Sequence, residues 1–159
     1  MANNNYENKI LYGFSDIKVN NEPILGGKSV QVNLDIQTVK ASNKTRDFRW
    51  STVTGASGQI TLLSLTSEEM ELLFGYEVNN TSNGQEIIVT DSFANKEVEL
   101  SFARKKPNGK YIKYYMTVIF NPASIEANTL EGSISEDNIT LDFEVIKKNG
   151  VYYKQIENI

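Results

Sequence analysis

Carboxylates are the side chains best suited to chemistry in this sequence. Glu97 and Glu99 lie two residues apart on an alternating segment, so both fall on one strand face. Their spacing is roughly the one retaining glycosidases use. A second acidic group, Glu68, Glu69 and Glu71, opens a predicted helix. There it complements the positive end of the helix dipole, a structural role that needs no substrate. Gly26-Gly27-Lys28-Ser29 looks like the end of a phosphate-binding loop. However, Glu22 stands where the first glycine belongs, and a strand pattern follows instead of a helix. Tyr111, Tyr114 and Tyr115 could stack a sugar or a base, but Tyr114 falls on the opposite strand face from the other two. Arg104-Lys105-Lys106 is a short basic run at a turn, in a chain of net charge −4. A nucleic-acid footprint needs more clustered cations than that.

The 159 residues include no His and no Cys. Ser-His-Asp and Cys-His catalysis, thiolate nucleophiles, disulfides and the usual zinc sites are thereby excluded. No catalytic residue, metal-ligand set or cofactor is assigned, and the expectation is a protein that is not an enzyme. The length predicts one domain over 1–159. The opening residues MANNNYENKILYGF lack a signal-peptide core, and no run is long and apolar enough for a membrane span. Synthesis and assembly in cytoplasm, with no membrane partner, are expected.

The elements that would position any site are mainly strands. Residues 28–39 place Val30, Val32, Leu34 and Ile36 on one face and Ser29, Gln31, Asn33, Asp35 and Gln37 on the other. Similar alternation runs over 97–104 and 139–145, and 111–120 is apolar on both faces, as in a central strand. Shorter candidates are 9–14, 16–20, 59–65, 85–90 and 151–156. Asn108-Gly109 and Asn149-Gly150 sit between strand candidates and predict two hairpins. One helix is predicted at about 66–74. Thr66 is its N-cap and Glu69 completes a capping box. Leu65 and Met70 form a staple, and Gly75 stands at C′. Met70, Leu73 and Phe74 then make the stripe that packs on the sheet.

Residues 40–57 lack clear periodicity and read as one long loop. Long irregular loops in compact domains are usually functional or disordered. This one carries Lys40, Lys44, Arg46 and Arg49 around Phe48 and Trp50, the only Trp of the chain. Trp beside Arg is typical of interface anchors. The alternative is that Trp50 folds back into the core at a strand edge.

Taken in order, three stretches resemble one family: GQITLLSLTSEEMELLFGYEV (58–78), LSFARKKPNGKYIKYYMTVIFNP (100–122) and TLEGSISEDNITLDFEVIKKNGVYY (129–153). Their likeness is to the major tail protein, or tail tube protein, of long-tailed phages with non-contractile tails, and to the related tubes of phage-tail-like bacteriocins. The likeness covers about two-thirds of the chain and leaves the N-terminal segment 1–27 loosely matched. It implies a β-sandwich or rolled β-barrel with one flanking helix. It also implies subunits joined in hexameric rings, which stack into a tube within a virion tail. Implied partners are the chain itself, a tape measure, a tail terminator and a distal tail protein, with DNA only passing through the lumen. Under this resemblance Gln31, Asn33, Asp35 and Gln37 either line that lumen or face outer solvent. Lys44, Arg46, Phe48, Arg49 and Trp50 are expected to reach a neighbouring subunit or ring. Two other functions compete: a monomeric β-sandwich carbohydrate-binding module using the Tyr-rich hairpin 100–120, and a hydrolase using Glu97 and Glu99.

Overall fold

The computed structural model describes residues 11–90, 96–122, 125 and 138–158. Ten strands and one helix follow in the order β1 (Tyr12–Val19), β2 (Glu22–Pro23), β3 (Gly27–Ser42), β4 (Asp47–Leu62), α1 (Ser67–Phe74), β5 (Val78–Thr81), β6 (Gly84–Ile87), β7 (Glu97–Lys105), β8 (Tyr111–Phe120), β9 (Ile139–Val145) and β10 (Tyr153–Glu157). The fold is mainly antiparallel β with one short helix and no closed barrel. The T-x-E-G-x-I stretch at 129–134 and residues 1–10 of the N-terminal segment lie outside the described residues.

Eight strands form one sheet in the order β2-β1-β7-β8-β9-β4-β3, with β10 also on β8. Alternation decides which face is buried. Val98, Leu100 and Phe102 of β7 point inward with Met116, Val118 and Phe120 of β8 and Leu141, Phe143 and Val145 of β9. Ile60 and Leu62 of β4 and Ile17 and Val19 of β1 complete the same core. Val30 and Val32 of β3 share a cleft with Phe102, Tyr114 and Tyr153. The sheet therefore curls until β3 faces the β7–β8–β10 layer, while the outermost strands, β2 and β3, do not pair with each other.

Local chemistry explains the helix and the tight turns. Thr66 Oγ1 accepts from Glu69 N at 3.2 Å, and Glu69 Oε1 accepts from Thr66 N at 3.3 Å. Gly75 ends the helix at φ +75°, in the left-handed region that an L side chain resists. Leu73 and Phe74 are buried, and Met70 is half-buried against the core. Asn20 and Asn21, both at positive φ, turn β1 into β2. Asn149 takes the same left-handed conformation before Gly150.

Three sequence expectations need correction. Residues 40–57 are not a loop: β3 and β4 run as a continuous 15-pair ladder to Ser42↔Asp47, and only 43–46 turn. Asn43 Oδ1 closes that turn by accepting from Thr45 N at 2.9 Å and Arg46 N at 2.7 Å. The periodicity was hidden by a β-bulge at Thr54: Asp35 pairs with Gly55, but Ile36 pairs with Val53. One extra residue flips every later β4 side chain to the other face, so no single alternation fits the strand. Second, the Lys148–Val151 turn forms, but β9 and β10 are not a hairpin. Both lie end to end along one edge of β8, Val145 opposite Val118 and Tyr153 opposite Met116. Between them Ile146 N still donates to Thr117 O at 2.8 Å, and Lys148 pairs with Val151 across the turn. Third, Lys106 is not a solvated turn cation. It is 1% exposed and pairs with Glu157 of β10.

Candidate functional site

The groups that first suggested chemistry do not come together. Glu97 is bound to Lys148 at 2.6 Å on the sheet's outer face. Glu99 lies two residues on along β7, and its backbone N donates to Asn20 Oδ1 at 2.9 Å. Tyr114 stacks inward on Phe102, ring centroids 5.0 Å apart, while Tyr115 belongs to the opposite face and Tyr111 is half-buried. No flat, exposed aromatic platform results. Among the described residues no group of His, Cys, Asp and Glu could hold a metal ion.

The conspicuous feature is the distal half of the β3–β4 hairpin. β4 pairs with β9 only from Ser57 onward. Residues 47–56 pair with β3 alone, so the hairpin leaves the sheet as a two-stranded arm. At about 3.3 Å per residue the arm reaches roughly 30 Å. Residues 33–51 are all exposed. Isolated two-stranded hairpins are at best marginally stable in water. This one nevertheless carries five large apolar side chains: Leu34, Ile36, Val39, Phe48 and Trp50.

The bulge sorts those side chains onto two faces. Ile36 opposite Val53 continues the apolar face of Val30 and Val32. Beyond the bulge, Trp50 stands opposite Val39 and Phe48 opposite Ala41, on the face that bears Gln37. Trp50 is 54% exposed and Phe48 53%. Of the expected interface residues, Lys44 and Arg46 lie in the turn and Arg49 points with Lys40 from the face opposite Trp50. Lys40 and Arg49 are direct cross-strand partners, a like-charge arrangement that destabilises an isolated hairpin.

Nearer the body, the polar faces of β3, β4 and β9 join into a wall. Its rows are Gln31–Gln59–Asp142 and Asn33–Ser57–Glu144. Gln59 Nε2 donates to Asp142 Oδ1 at 2.9 Å, and Thr61 and Thr140 hydroxyls meet at 3.2 Å. Asp35 and Gln37 extend the wall onto the arm. It bears three carboxylates (Asp35, Asp142 and Glu144) and no Lys or Arg on those strand faces. Sequence reading found the β3 part of this wall from alternation alone. The β4 and β9 parts needed the register.

No protein-family model matches this sequence, and no curated protein matches it. Among the described residues no helix is long and apolar enough to cross a membrane.

Proposed function

We propose that this chain is a structural subunit that assembles with copies of itself, as the repeating unit of a phage-type tail tube. The observation that carries the reading is the free arm. Its aromatic side chains are exposed on a hairpin that the described residues of its own chain do not cover. Exposed apolar surface of this kind marks a protein–protein contact. A head-to-tail contact of arm on neighbour repeats indefinitely, as stacked rings require.

The polar wall supports the tubular form. A lumen that lets DNA slide must neither grip phosphates nor offer apolar bases a platform. On the body, the wall of Gln, Asn, Ser and Thr with carboxylates and no cation meets both conditions. The aromatic side chains of that face, Phe48 and Trp50, stand beyond Gln37 on the arm, where a neighbouring copy would cover them. The resemblance of residues 58–153 to tail tube proteins points the same way. In this reading the chain works in a virion tail or a phage-tail-like bacteriocin. It would contact tape-measure, terminator and distal tail proteins at the tube's inside and ends.

Trp50, the only Trp, supplies a direct test. Raising the concentration of the purified chain should yield rings or hollow tubes in negative stain, with a blue shift of Trp emission as Trp50 leaves water. A chain that stays monomeric by light scattering at millimolar concentration, with unchanged emission, refutes the proposal.

A further inference from the structure

We infer that the arm of one copy seats on the α1–β5–β6 block of another, through ionic contacts between the arm's cations and that block's carboxylates. This inference rests on the subunit reading above and names the surface that receives the arm.

Charge is distributed very unevenly along the chain. Residues 38–51 hold Lys40, Lys44, Arg46 and Arg49 against Asp47 alone, a net +3. The whole chain is −4, so the rest of it carries −7. Residues 114–146 hold six carboxylates and no Lys or Arg, but four of those six lie outside the described residues. Among the described residues the most one-sided stretch is 63–90. It contains Glu68, Glu69, Glu71, Glu77 and Glu86, and no Lys or Arg. These residues form one unit, since α1 packs against β5 and β6.

Each side carries a defect that the other would remedy. On the arm, Lys40 opposite Arg49 is a like-charge pair, and although Asp47 shares their face, neither cation has an ion-pair partner among the described residues. On the block, Glu68, Glu71, Glu77 and Glu86 have no ion-pair partner among the described residues. The cation that does approach, Lys96, donates to the Glu71 backbone carbonyl at 3.2 Å and caps the helix end. Both surfaces also hold apolar side chains in water: Phe48 and Trp50 on the arm, and Ile88 (61% exposed) and Val89 (66%) directly after β6. Burial of the apolar groups would supply affinity, and the charges would select the partner and its orientation. The cleft bordered by Val30, Val32 and Tyr153 is a poorer receiver, because Arg104 lines it and would repel the arm's cations.

Within one copy the arm does not cover its own block: its ladder with β3 is complete to Ser42↔Asp47, and Phe48, Trp50, Ile88 and Val89 are all exposed. A second copy is therefore the occupant. Duplex DNA, the other polyanion that four cations could meet, would leave Phe48 and Trp50 in water and the block's carboxylates unpaired.

Charge reversal in the full chain tests the pairing. Arg46→Glu with Arg49→Glu alters the arm, and Glu71→Lys with Glu86→Lys alters the block. All four sites are exposed, and Glu69, which the capping box uses, is left intact. Each pair alone should raise the concentration needed for assembly about tenfold or more, because like charges then face each other. The chain carrying all four substitutions should return to near the wild-type threshold. Assembly that depends on the arm but ignores the block reversal, or a fourfold variant no better than either pair, overturns the inference and leaves the subunit reading standing. Loss of DNA binding by the arm variant, with assembly unchanged, overturns it as well. A wild-type chain that never assembles removes the subunit reading itself.

Discussion

Replacing Trp50 with Ala should separate assembly from folding. The ring is 54% exposed, and Trp50 is not part of the buried core. A Trp side chain offers about 250 Å² when fully buried, so covering the exposed share removes about 130 Å² from water. At about 25 cal/mol per Å² that contributes roughly 3 kcal/mol to each arm contact. The Ala variant should then need on the order of 100-fold more protein to assemble, since each 1.4 kcal/mol is a factor of ten. Folding should scarcely respond, because the arm pairs only with itself beyond Ser57. A melting temperature within about 2 °C of wild type is expected for a domain of this size. Sedimentation across a concentration series reads the threshold, and thermal denaturation of dilute protein reads the fold. An unchanged threshold, or a large loss of melting temperature, would show that Trp50 serves the monomer and that the arm is not the contact.

Five further substitutions probe the base of the arm and the body. Gly58→Ala would place a Cβ 2.1 Å from the Gln31 carbonyl oxygen and 2.5 Å from Phe143 Cζ, and neither a backbone atom nor a buried ring can easily yield. We expect a loss of about 3 kcal/mol. Gly55→Ala meets only the Asp35 carboxylate, at 3.1 Å, and should cost under about 1 kcal/mol; equal denaturation midpoints for the two would contradict this. Glu157→Ala strands the Lys106 ammonium and should cost about 1–3 kcal/mol, reduced from the fully buried case because Glu157 is 43% exposed. Lys106→Met should be milder, and hydrogen exchange should show β10 opening first in the Glu157 variant but not in the Met one. Thr66→Ala removes the cap that Glu69 N uses and should cost about 1 kcal/mol in urea unfolding; no change would mean that α1 is held by Leu73 and Phe74 alone.

What could be read from the sequence depended on whether a segment's environment lies within the chain. β7, β8, β9 and α1 were legible because their partners are internal: Val98, Leu100 and Phe102 alternate against a core that Met116, Val118 and Phe120 complete. The α1 boundaries followed from Thr66, Glu69 and Gly75, whose capping is a local matter of a few bonds. The collinear placement of β9 and β10 was not legible, since Asn149-Gly150 builds the same turn whether or not its flanking strands pair. Lys106 was missed because its burial depends on Glu157, fifty-one residues away in sequence. The polar wall was half legible. Gln31, Asn33, Asp35 and Gln37 share a strand, but Asp142 and Glu144 join them only through β4.

The arm was illegible as strand for a reason that bears on what it does. Alternation appears in a sequence when one face is buried and the other is wet, and the described residues bury neither face of residues 38–51. The bulge at Thr54 then moves Phe48 and Trp50 away from the face of Leu34 and Ile36. An arm with no bulge would put Phe48 and Trp50 on the side of Leu34 and Ile36 that continues the core, where they could fold back over Val30 and Val32. The bulge prevents that collapse and turns the aromatic pair outward. Cross-strand repulsion between Lys40 and Arg49 likewise makes the free arm less stable than a neutral hairpin. Both features cost stability in the monomer and become favourable only when a second surface, apolar and acidic, lies against the arm. In the proposed assembly the residue choices along 38–51 would follow the chemistry of a partner, and the carboxylates and exposed Ile88 and Val89 of the α1–β5–β6 block have the complementary composition.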